Sequence, residues 1–358
     1  MAGPIHCFTS FTFAYLSRAR VLAQTLKRWN PEWVLWGLVV DENPGGVELS
    51  PGRDGFDEIV AVTELGLPGL DAWLFTHDVV EACTAVKGWF ACQLLDRGFE
   101  RIVYLDPDIA VFDRLDDLEQ RLQRADIVLT PHQLSPENSR MAIVDNEICS
   151  LRHGTYNLGF LGLRNGDDGR AFARWWRDRL RDFCFADIPA GLFTDQRWCD
   201  LVPGFFESHD IVRHPGYNVA SWNLSHRRLE VAPGGELLVN GQRLQFYHFT
   251  KLGPVGETMT ARYAGDGLAV HELWSWYRRM VQRCTDPAIP EGYWRYATFA
   301  DGTPIPAAAR RLYRKRRDLQ LAFPAPFASG ADSYQRWFSA HGDPATELAG
   351  ETECPSST

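Results

Sequence analysis

The sequence lacks the features that mark several large classes of protein. It has no excess of basic residues, since its formal net charge is -9 over 358 residues. Nucleic-acid phosphates require a basic surface, so this charge argues against a nucleic-acid partner. No uncharged stretch reaches the roughly 18 residues of a membrane-spanning helix, and no basic start followed by an apolar run opens the chain. The sequence shows no internal repeat.

The sequence also lacks a cysteine framework. Its eight cysteines are scattered, mostly in apolar segments, and none forms a Cys-x-x-Cys pair. This pattern indicates reduced thiols, so we expect a cytoplasmic protein, with peripheral contact at the inner face of the membrane as one option. With 45% apolar and 23% charged residues, the chain is globular and can bury a large core.

Residues 101–112 contain the motif around which the chain is organised. Residues 102–105 are β-branched, aromatic or aliphatic, which is typical of a strand buried on both faces. Asp106 and Asp108 follow at its carboxyl end, where open α/β sheets bind ligands, and together they can bind one divalent cation. The alternative is that the pair only caps the strand or starts a turn.

The order of elements before this motif predicts a doubly wound sheet. Apolar periodicity indicates strand 5–13, helix 14–29, strand 33–40, strand 56–62, helix 76–97 and strand 102–105. Helical crossovers of this kind join parallel strands. Lys87 lies beside the apolar stripe of the second helix. It is either a snorkelling surface lysine or an ammonium that reaches over the sheet edge toward phosphate.

Several polar segments later in the chain are candidates for substrate contacts. Residues 133–150 are polar and broken by proline, and we interpret them as a mobile active-site loop. Thr194 or Asp195 is either only a helix N-cap or part of the substrate site. Tyr217 and Trp222 offer flat aromatic faces to sugar C–H groups.

A second apolar strand also ends in a residue that can bind a metal. His248 closes this strand, and Lys251 follows three residues later. An isolated histidine after a strand is more often packed in a core. Together with Asp106 and Asp108, however, His248 and a nearby lysine fit a site for a metal ion and a diphosphate.

Four motifs in this order resemble the GT-A fold glycosyltransferases, closest to glycosyltransferase family 8 and its bacterial relatives. They are Tyr104-Leu105-Asp106-Pro107-Asp108, Tyr156-Asn157-Leu158-Gly159, Asp195-Gln196 and Tyr247-His248. The resemblance implies an α/β, Rossmann-like, doubly wound mixed sheet. We expect a catalytic domain at 1–255, with a nucleotide-binding half to about 131 and an acceptor half from about 132. A mainly helical C-terminal extension at 256–345 and a disordered tail at 346–358 follow.

The resemblance also implies roles for individual residues. In the family, the two aspartates and the late histidine coordinate Mn²⁺ or Mg²⁺ on the diphosphate of a nucleotide sugar, by default a UDP-sugar; here these are Asp106, Asp108 and His248. Donor contacts fall on Phe8, Thr9, Ser10, Asp41, Lys87 and Lys251. Residues lining the transferring sugar are Asn157, Asp195 and Gln196.

Two departures from the family limit this transfer of roles. Residues 197–200 differ from the family's continuation after Asp-Gln, so acceptor contacts do not carry over. Lys251 follows His248 sooner than the family's lysine does, without the usual glycine, which puts its diphosphate role in question.

The sequence therefore predicts a metal-dependent glycosyltransferase that acts on a saccharide or lipid-linked acceptor, with retention of configuration. Inversion would need a carboxylate base, and Asp195, Glu207 and Asp210 are available. One alternative is a phosphatase of the haloacid dehalogenase type, which would want the Asp-x-Asp pair near the chain start and Thr or Val in place of Ala110. Another is a non-catalytic carbohydrate-binding protein.

The basic run at residues 310–317 lies outside the resemblance. It begins at Arg310, ends at Arg317 and is the densest positive cluster of the chain. One interpretation is a solvated helix face. The other is a surface that docks to an anionic membrane or to a lipid-linked acceptor. The oligomeric state is left open by the sequence.

Overall fold

A seven-stranded mixed sheet lies at the centre of residues 3–342, the part of the chain that the computed structural model describes. The strands are β1 (His6–Phe11), β2 (Val34–Val39), β3 (Glu58–Ala61), β4 (Arg101–Leu105), β5 (Ile109–Val111), β6 (Ile127–Pro131), β7 (Tyr156–Arg164), β8 (His209–Ile211), β9 (Leu229–Val231), β10 (Leu237–Val239), β11 (Gln242–Arg243) and β12 (Phe246–His248). The helices are α1 (Leu16–Trp29), α2 (Leu70–Phe75), α3 (Val79–Asp96), α4 (Asp116–Leu122), α5 (Arg140–Ala142), α6 (Ile148–His153), α7 (Asp167–Phe183), α8 (Val202–Phe205), α9 (Pro254–Ala264), α10 (Leu268–Cys284), α11 (Ala307–Lys315), α12 (Arg317–Ala322) and α13 (Tyr334–His341).

The strand order in the main sheet is β3-β2-β1-β4-β7-β6-β8. Strands β1 to β4 pair in parallel, whereas β7 runs antiparallel to both β4 and β6. Helices cover both faces, so every side chain of β1 and β4 is buried. The predicted α/β class, with a doubly wound mixed sheet and a helical C-terminal extension, is confirmed.

The two faces of the sheet have separate apolar layers. The inner side chains of α3, such as Val86 and Phe90, pack on Phe8 and Tyr104 on one face. The apolar stripe of α1 packs on the other face. On the α3 side a second helix, α7, approaches closely at Gly88, where a Cβ would lie 2.7 Å from the Cα of Arg177.

A separate two-stranded ribbon joins the first and last motifs of the chain. Strand β5 begins directly after Asp108 and pairs antiparallel with β12, so that Ile109 lies opposite His248. The amide of Phe249 also donates to the carbonyl of Asp108 at 2.8 Å. This pairing brings His248 to the Asp106-Pro107-Asp108 turn although more than a hundred residues separate them in sequence.

The interpretation of residues 133–150 as an irregular loop is wrong for their second half. Helices α5 and α6, with a π-helical turn at Ile143–Glu147 between them, cover residues 140–153. The amide of Asn146 and the hydroxyl of Ser225 both donate to the buried carboxylate of Glu137, each at 2.6 Å. Ser225 lies far along the chain, so local sequence gave no indication of this anchor.

The C-terminal extension, from residue 256 onward, packs against the N-terminal part, residues 3–255. Helix α10 contacts α1, and the indole of Trp294 donates to the carbonyl of Val40 at 3.2 Å. The amide of Arg295 donates to Asp41 at 2.8 Å. The predicted disordered tail at 346–358 lies outside the described residues. Within those residues, no helix has both the length and the apolar character needed to cross a bilayer.

The basic run is not a uniform solvated face. Arg310 is only 6% exposed, and its guanidinium donates to the carbonyls of Phe75, His77 and Tyr296. The guanidinium of Arg314 lies 3.6 Å from the ring centroid of Phe185. Both interpretations of the run as a surface are therefore wrong for Arg310, because this side chain fastens the extension to the end of α2.

Replacing Arg310 should therefore destabilise the protein. We expect Arg310→Gln to lower the free energy of unfolding by about 3 kcal/mol, because buried carbonyls lose their donor. Arg317→Gln, which changes an exposed member of the same run, should leave the urea midpoint unchanged. Equal effects of the two substitutions would show that Arg310 does not anchor the extension.

Candidate functional site

Three potential metal ligands meet at the carboxyl edge of the central sheet. Asp106 and Asp108 follow β4, and His248 ends β12; one ligand atom from each lies within 4.8 Å of the others. Nε2 of His248 is 3.0 Å from a carboxylate oxygen of Asp108 and 3.6 Å from one of Asp106. Asp108 and His248 are buried, while Asp106 is half-buried. The interpretation of the pair as a plain turn does not account for this convergence.

The donor set and its electrostatics fit a divalent cation. Two carboxylates and one imidazole suit Mn²⁺ or Mg²⁺. Burial lowers the pKa of His248, but the charge of Asp108, its hydrogen bond and the charge of Asp106 together outweigh burial and leave the pKa raised. Burial raises the pKa of Asp108, yet the charge and hydrogen bond of His248, with the charge of Arg18, together outweigh burial and leave that pKa lowered. The pair thus favours positive charge at the point where a cation would lie.

Asn157 orients the imidazole of His248. Its carbonyl oxygen lies 3.2 Å from Nδ1 of His248 and also accepts from the amide of Asn218 at 3.1 Å and from the backbone N–H of Gly159 at 3.2 Å. Two firm donors identify this atom as the oxygen, so Nδ1 of His248 carries the proton. When Nε2 gives up its own proton to a metal ion, its lone pair points to the carboxylates, as a metal ligand requires.

Gly159 provides the space for this arrangement. A Cβ at this position would lie 2.5 Å from Cε1 and 2.7 Å from Nδ1 of His248, and 2.8 Å from the carbonyl oxygen of Asn157. The backbone here is ordinary strand, so the requirement for glycine is one of space. The Asn-x-Gly spacing in the second motif therefore has a direct structural reason.

Lys87 links the metal carboxylates to the third motif. Its side chain is 2% exposed, and the ammonium lies 2.8 Å from Asp195, 3.3 Å from Asp106 and 3.0 Å from the carbonyl of Leu158. Burial lowers its pKa, but Asp106 and Asp195 outweigh burial and leave it raised, so the ammonium stays charged. The interpretation of Lys87 as a snorkelling surface lysine is wrong.

Asp195 and Gln196 join the same network. Asp195 is buried and also accepts from the hydroxyl of Thr194 at 3.1 Å. Gln196 accepts from the amide of Asn157 at 3.3 Å and donates to the carbonyl of His153 at 2.8 Å. The N-cap interpretation of Asp195 is wrong, because Gln196 is the residue that precedes the following helical turn.

Four of the predicted donor contacts, Phe8, Thr9, Ser10 and Asp41, are buried in the protein. Phe8 lies in the core, and Ser10 donates to the carbonyl of Cys83 at 2.7 Å. Asp41 accepts from the amide of Phe13 at 3.1 Å, and burial raises its pKa to about 6. The hydroxyl of Thr9 is buried without a hydrogen-bond partner in the described part of the chain. Contact of these four residues with the nucleotide-sugar donor stays a prediction.

Three other predicted contacts differ in their surroundings. Lys251 is exposed, with φ at 54°, and its ammonium forms no ion pair within residues 3–342. Trp222 packs edge-on against His248, with ring centroids 5.3 Å apart. Tyr217 is 1% exposed and packs on Phe246, so the interpretation of Tyr217 as a sugar platform is wrong.

Of the three carboxylates considered as bases, only Asp195 lies at this edge of the sheet. Asp210 belongs to β8, whose register places it opposite Val128, and its carboxylate pairs with Arg121 at 2.7 Å. Glu207 lies just before β8, beyond the opposite edge of the sheet.

Sequence reasoning missed several contributors to the network. The ring of His132, at the end of β6, lies 3.3 Å from the amide of Asn157, and burial lowers its pKa to about 4. Asn218 holds Asn157 and has φ at 52°. A histidine after a strand was visible as Thr130-Pro131-His132 in the sequence. Asn218 had no comparable signal. With Thr194 and Lys251, it makes three non-glycine residues with positive φ near one site.

Comparison with known sequences gives distant matches only. No family model matches the chain. The uncharacterized protein YfnF of Bacillus subtilis (strain 168) is 28% identical over 184 residues, which cover 49% of this chain and 58% of YfnF. The uncharacterized protein YfnD of the same organism is 26% identical over 174 residues, 48% of this chain and 53% of YfnD. The chain spans little more than half the length of these curated relatives.

Among solved structures, the galactosyltransferase LgtC in complex with donor and acceptor sugar analogues is similar to this chain. The similarity covers 80% of this chain and 98% of that one, with 14% sequence identity and a TM-score of 0.43. None of these matches assigns the chain to a family.

The space beside Gly159 leads to a first prediction for the site. Gly159→Ala should displace His248 and weaken Mn²⁺ binding by about tenfold or more, the usual effect of disturbing a ligand's support. Gly204→Ala is the matched control, because a Cβ there meets nothing within 4 Å. Isothermal titration with Mn²⁺ measures both. Unchanged affinity in Gly159→Ala would mean that His248 is not a ligand.

The raised pKa of His248 predicts how metal binding depends on pH. Below this pKa, which lies above the ordinary 6.5, the metal must displace a proton, so Mn²⁺ affinity should fall about tenfold per pH unit. Without metal, folding stability depends on pH in the opposite direction to metal affinity. The stability that His248 contributes is complete below 6.5 and is lost as the pH rises through its folded pKa. The contribution of Asp108 is present above 3.8 and is lost as the pH falls through its lowered pKa.

Mn²⁺ titrations across neutral pH test this expectation. His248→Gln should bind Mn²⁺ more weakly and lose the dependence on pH in this range. The same pH dependence in that variant would assign the proton to another group.

Proposed function

We propose that the protein is a metal-dependent glycosyltransferase. It transfers a sugar from a nucleoside diphosphate sugar, a UDP-sugar by its motif resemblance, to a saccharide or lipid-linked acceptor with retention of configuration. The observation that carries this proposal is the convergence of Asp106, Asp108 and His248 at the carboxyl edge of the sheet. Lys87 and Asn157 connect this cluster to Asp195 and Gln196, so four separate motifs form one site.

Different residues of the site would have different roles toward the nucleotide-sugar donor. Asp106, Asp108 and His248 would hold Mn²⁺ or Mg²⁺, which when bound neutralises charge that develops on the diphosphate leaving group. Asn157 keeps the imidazole in the tautomer that leaves Nε2 free. Lys87 holds the carboxylates of Asp106 and Asp195 in position through ion pairs, so the site does not have to reorganise during the reaction.

The sugar half of the donor would lie against Asn157, Asp195 and Gln196. Their amide and carboxylate groups match sugar hydroxyls, which both donate and accept. Bond breaking at the anomeric carbon gives an oxocarbenium-like transition state. A negative carboxylate such as Asp195 close to that carbon would stabilise its positive charge.

The positions of the carboxylates support retention. Inversion needs a free base on the face opposite the leaving group. Asp195 is tied to Lys87 at 2.8 Å, while Asp210 is engaged by Arg121 and lies beyond the site, as does Glu207. The acceptor would then attack from the face of the leaving group. No specific observation favours a phosphatase of the haloacid dehalogenase type, because that chemistry does not require His248 beside the aspartates.

Nucleotide binding provides the direct test. In a thermal unfolding series with nucleoside diphosphates and sugar nucleotides, one nucleotide should stabilise the wild type only when Mn²⁺ is present. A ligand at a hundred times its dissociation constant adds about 2.7 kcal/mol of stability. Asp108→Asn should abolish this shift, whereas Asp116→Asn, the same change at an exposed helix start, should retain it. Release of nucleotide from the matching sugar nucleotide measures turnover.

Other outcomes separate the alternatives. A shift that survives Asp108→Asn would make the aspartate pair a structural turn. Binding of sugars without nucleotide release would favour a carbohydrate-binding protein, and release of free phosphate from phosphomonoesters would favour a phosphatase.

A further inference from the structure

Arg18, in the first turn of α1, is a half-buried cation for which residues 3–342 provide no counter-ion. Its guanidinium carbon lies 4.1 Å from the ring centroid of Tyr15. Nε is buried and has no hydrogen-bond partner, and the side chain forms no ion pair within the described part of the chain. Arg20, two residues on, pairs with Asp54 at 2.7 Å and donates to the carbonyl of Cys284 at 3.0 Å. Arg18 therefore lacks the structural role that its neighbour has.

Arg18 lies close to the metal carboxylates. Helix α1 packs along β5: the backbone N–H of Val111 donates to the hydroxyl of Thr25 at 3.2 Å, and Val21 packs with Ala110. The preceding turn, which carries Arg18, therefore lies at the Asp108 end of β5. Helix α1 begins just past the carboxyl end of β1, and β1 is the direct neighbour of β4 in the sheet. The guanidinium thus approaches the site from the α1 side, whereas His248 approaches from the ribbon of β5 and β12.

A cavity of about 460 Å³ extends from this arginine. Phe13, Tyr15 and Arg18 line the side formed by the N-terminal part, and Ile289 and Gly292 line the side formed by the C-terminal extension. The same part of the extension is fixed to the end of β2 through Trp294 and Arg295. The extension is therefore one wall of a space that Arg18 borders on the other side.

We propose that Arg18 binds the diphosphate of the nucleotide donor and that the cavity beyond it holds the nucleoside against the C-terminal extension. This inference rests on the proposed function and adds a residue that none of the four motifs contains. Lys251, the lysine expected at the diphosphate, is exposed and follows the ribbon with a positive φ. In this proposal Arg18, on the α1 side of the site, provides the positive charge that was expected from Lys251.

The chemistry of the side chain suits this role. A guanidinium offers a planar fork of donors that matches two phosphate oxygens. The stacking on Tyr15 restricts the side chain before the ligand arrives, which reduces the entropy cost of binding. The first turn of α1 adds the positive end of the helix dipole in the same place.

Inorganic pyrophosphate with Mn²⁺ is a probe that does not depend on the unknown base. We expect wild-type protein to bind it by isothermal titration, and Arg18→Gln to bind it about tenfold to a hundredfold more weakly, the usual effect of a lost charge-assisted contact. Arg18→Lys should recover part of the affinity. Arg28→Gln is the control, because it makes the same change at an exposed position of the same helix. Unfolding midpoints without ligand verify that each variant is folded.

A second substitution tests the wall formed by the extension. Ile289→Trp narrows the cavity, so it should weaken binding of the preferred nucleoside diphosphate while leaving pyrophosphate binding unchanged. Equal binding of the nucleotide by Ile289→Trp and by the wild type would place the nucleoside elsewhere.

The outcomes for Arg18 and for the proposed function can be told apart. If Arg18→Gln binds pyrophosphate as the wild type does while Lys251→Gln binds it weakly, the inference about Arg18 is overturned and the glycosyltransferase proposal stands. If the wild type binds neither pyrophosphate nor any nucleoside diphosphate with Mn²⁺, the proposed function itself fails.

Discussion

The structure depends on keeping a buried charge neutralised at the carboxyl edge of the sheet. Lys87 is almost fully buried, and a lone ammonium there would cost several kcal/mol. Asp106 and Asp195 supply the compensating charge from either side. Because each member of this triad is buried or half-buried, removing Lys87 would leave two carboxylates without their shared counter-ion. The triad therefore fixes the geometry of the site and ties the motif after β4 to the Asp-Gln pair.

Two local features convert this charged edge into a site that fits a metal. The pairing of β5 with β12 sets His248 opposite Ile109, so the imidazole reaches the carboxylate of Asp108. The missing side chain at Gly159 leaves room for that ring. Asn157 then fixes the ring's tautomer through hydrogen bonds that also reach Asn218. The cluster is built from parts of the chain that no local pattern connects.

The C-terminal extension is packed onto the N-terminal part of the chain. Arg310 fastens it to the end of α2 through backbone carbonyls, and the amide of Arg295 caps the carboxylate of Asp41. A long basic side chain can cover apolar rings while its guanidinium is satisfied by carbonyls. The most basic part of the sequence is therefore partly a packing element rather than a binding surface.

The sequence by itself determined the class of fold, the central strands and the three residues of the candidate metal cluster. These follow from short-range patterns: apolar periodicity, turn residues and carboxylates at the ends of strands. Only the tertiary structure decided what each polar side chain contacts. Lys87 forms an ion pair with Asp195, Glu137 joins residues 140–153 to Ser225 through hydrogen bonds, and Arg310 is buried. The physical reason is that burial and pairing arise between segments far apart in the chain, and periodicity carries no information about such partners.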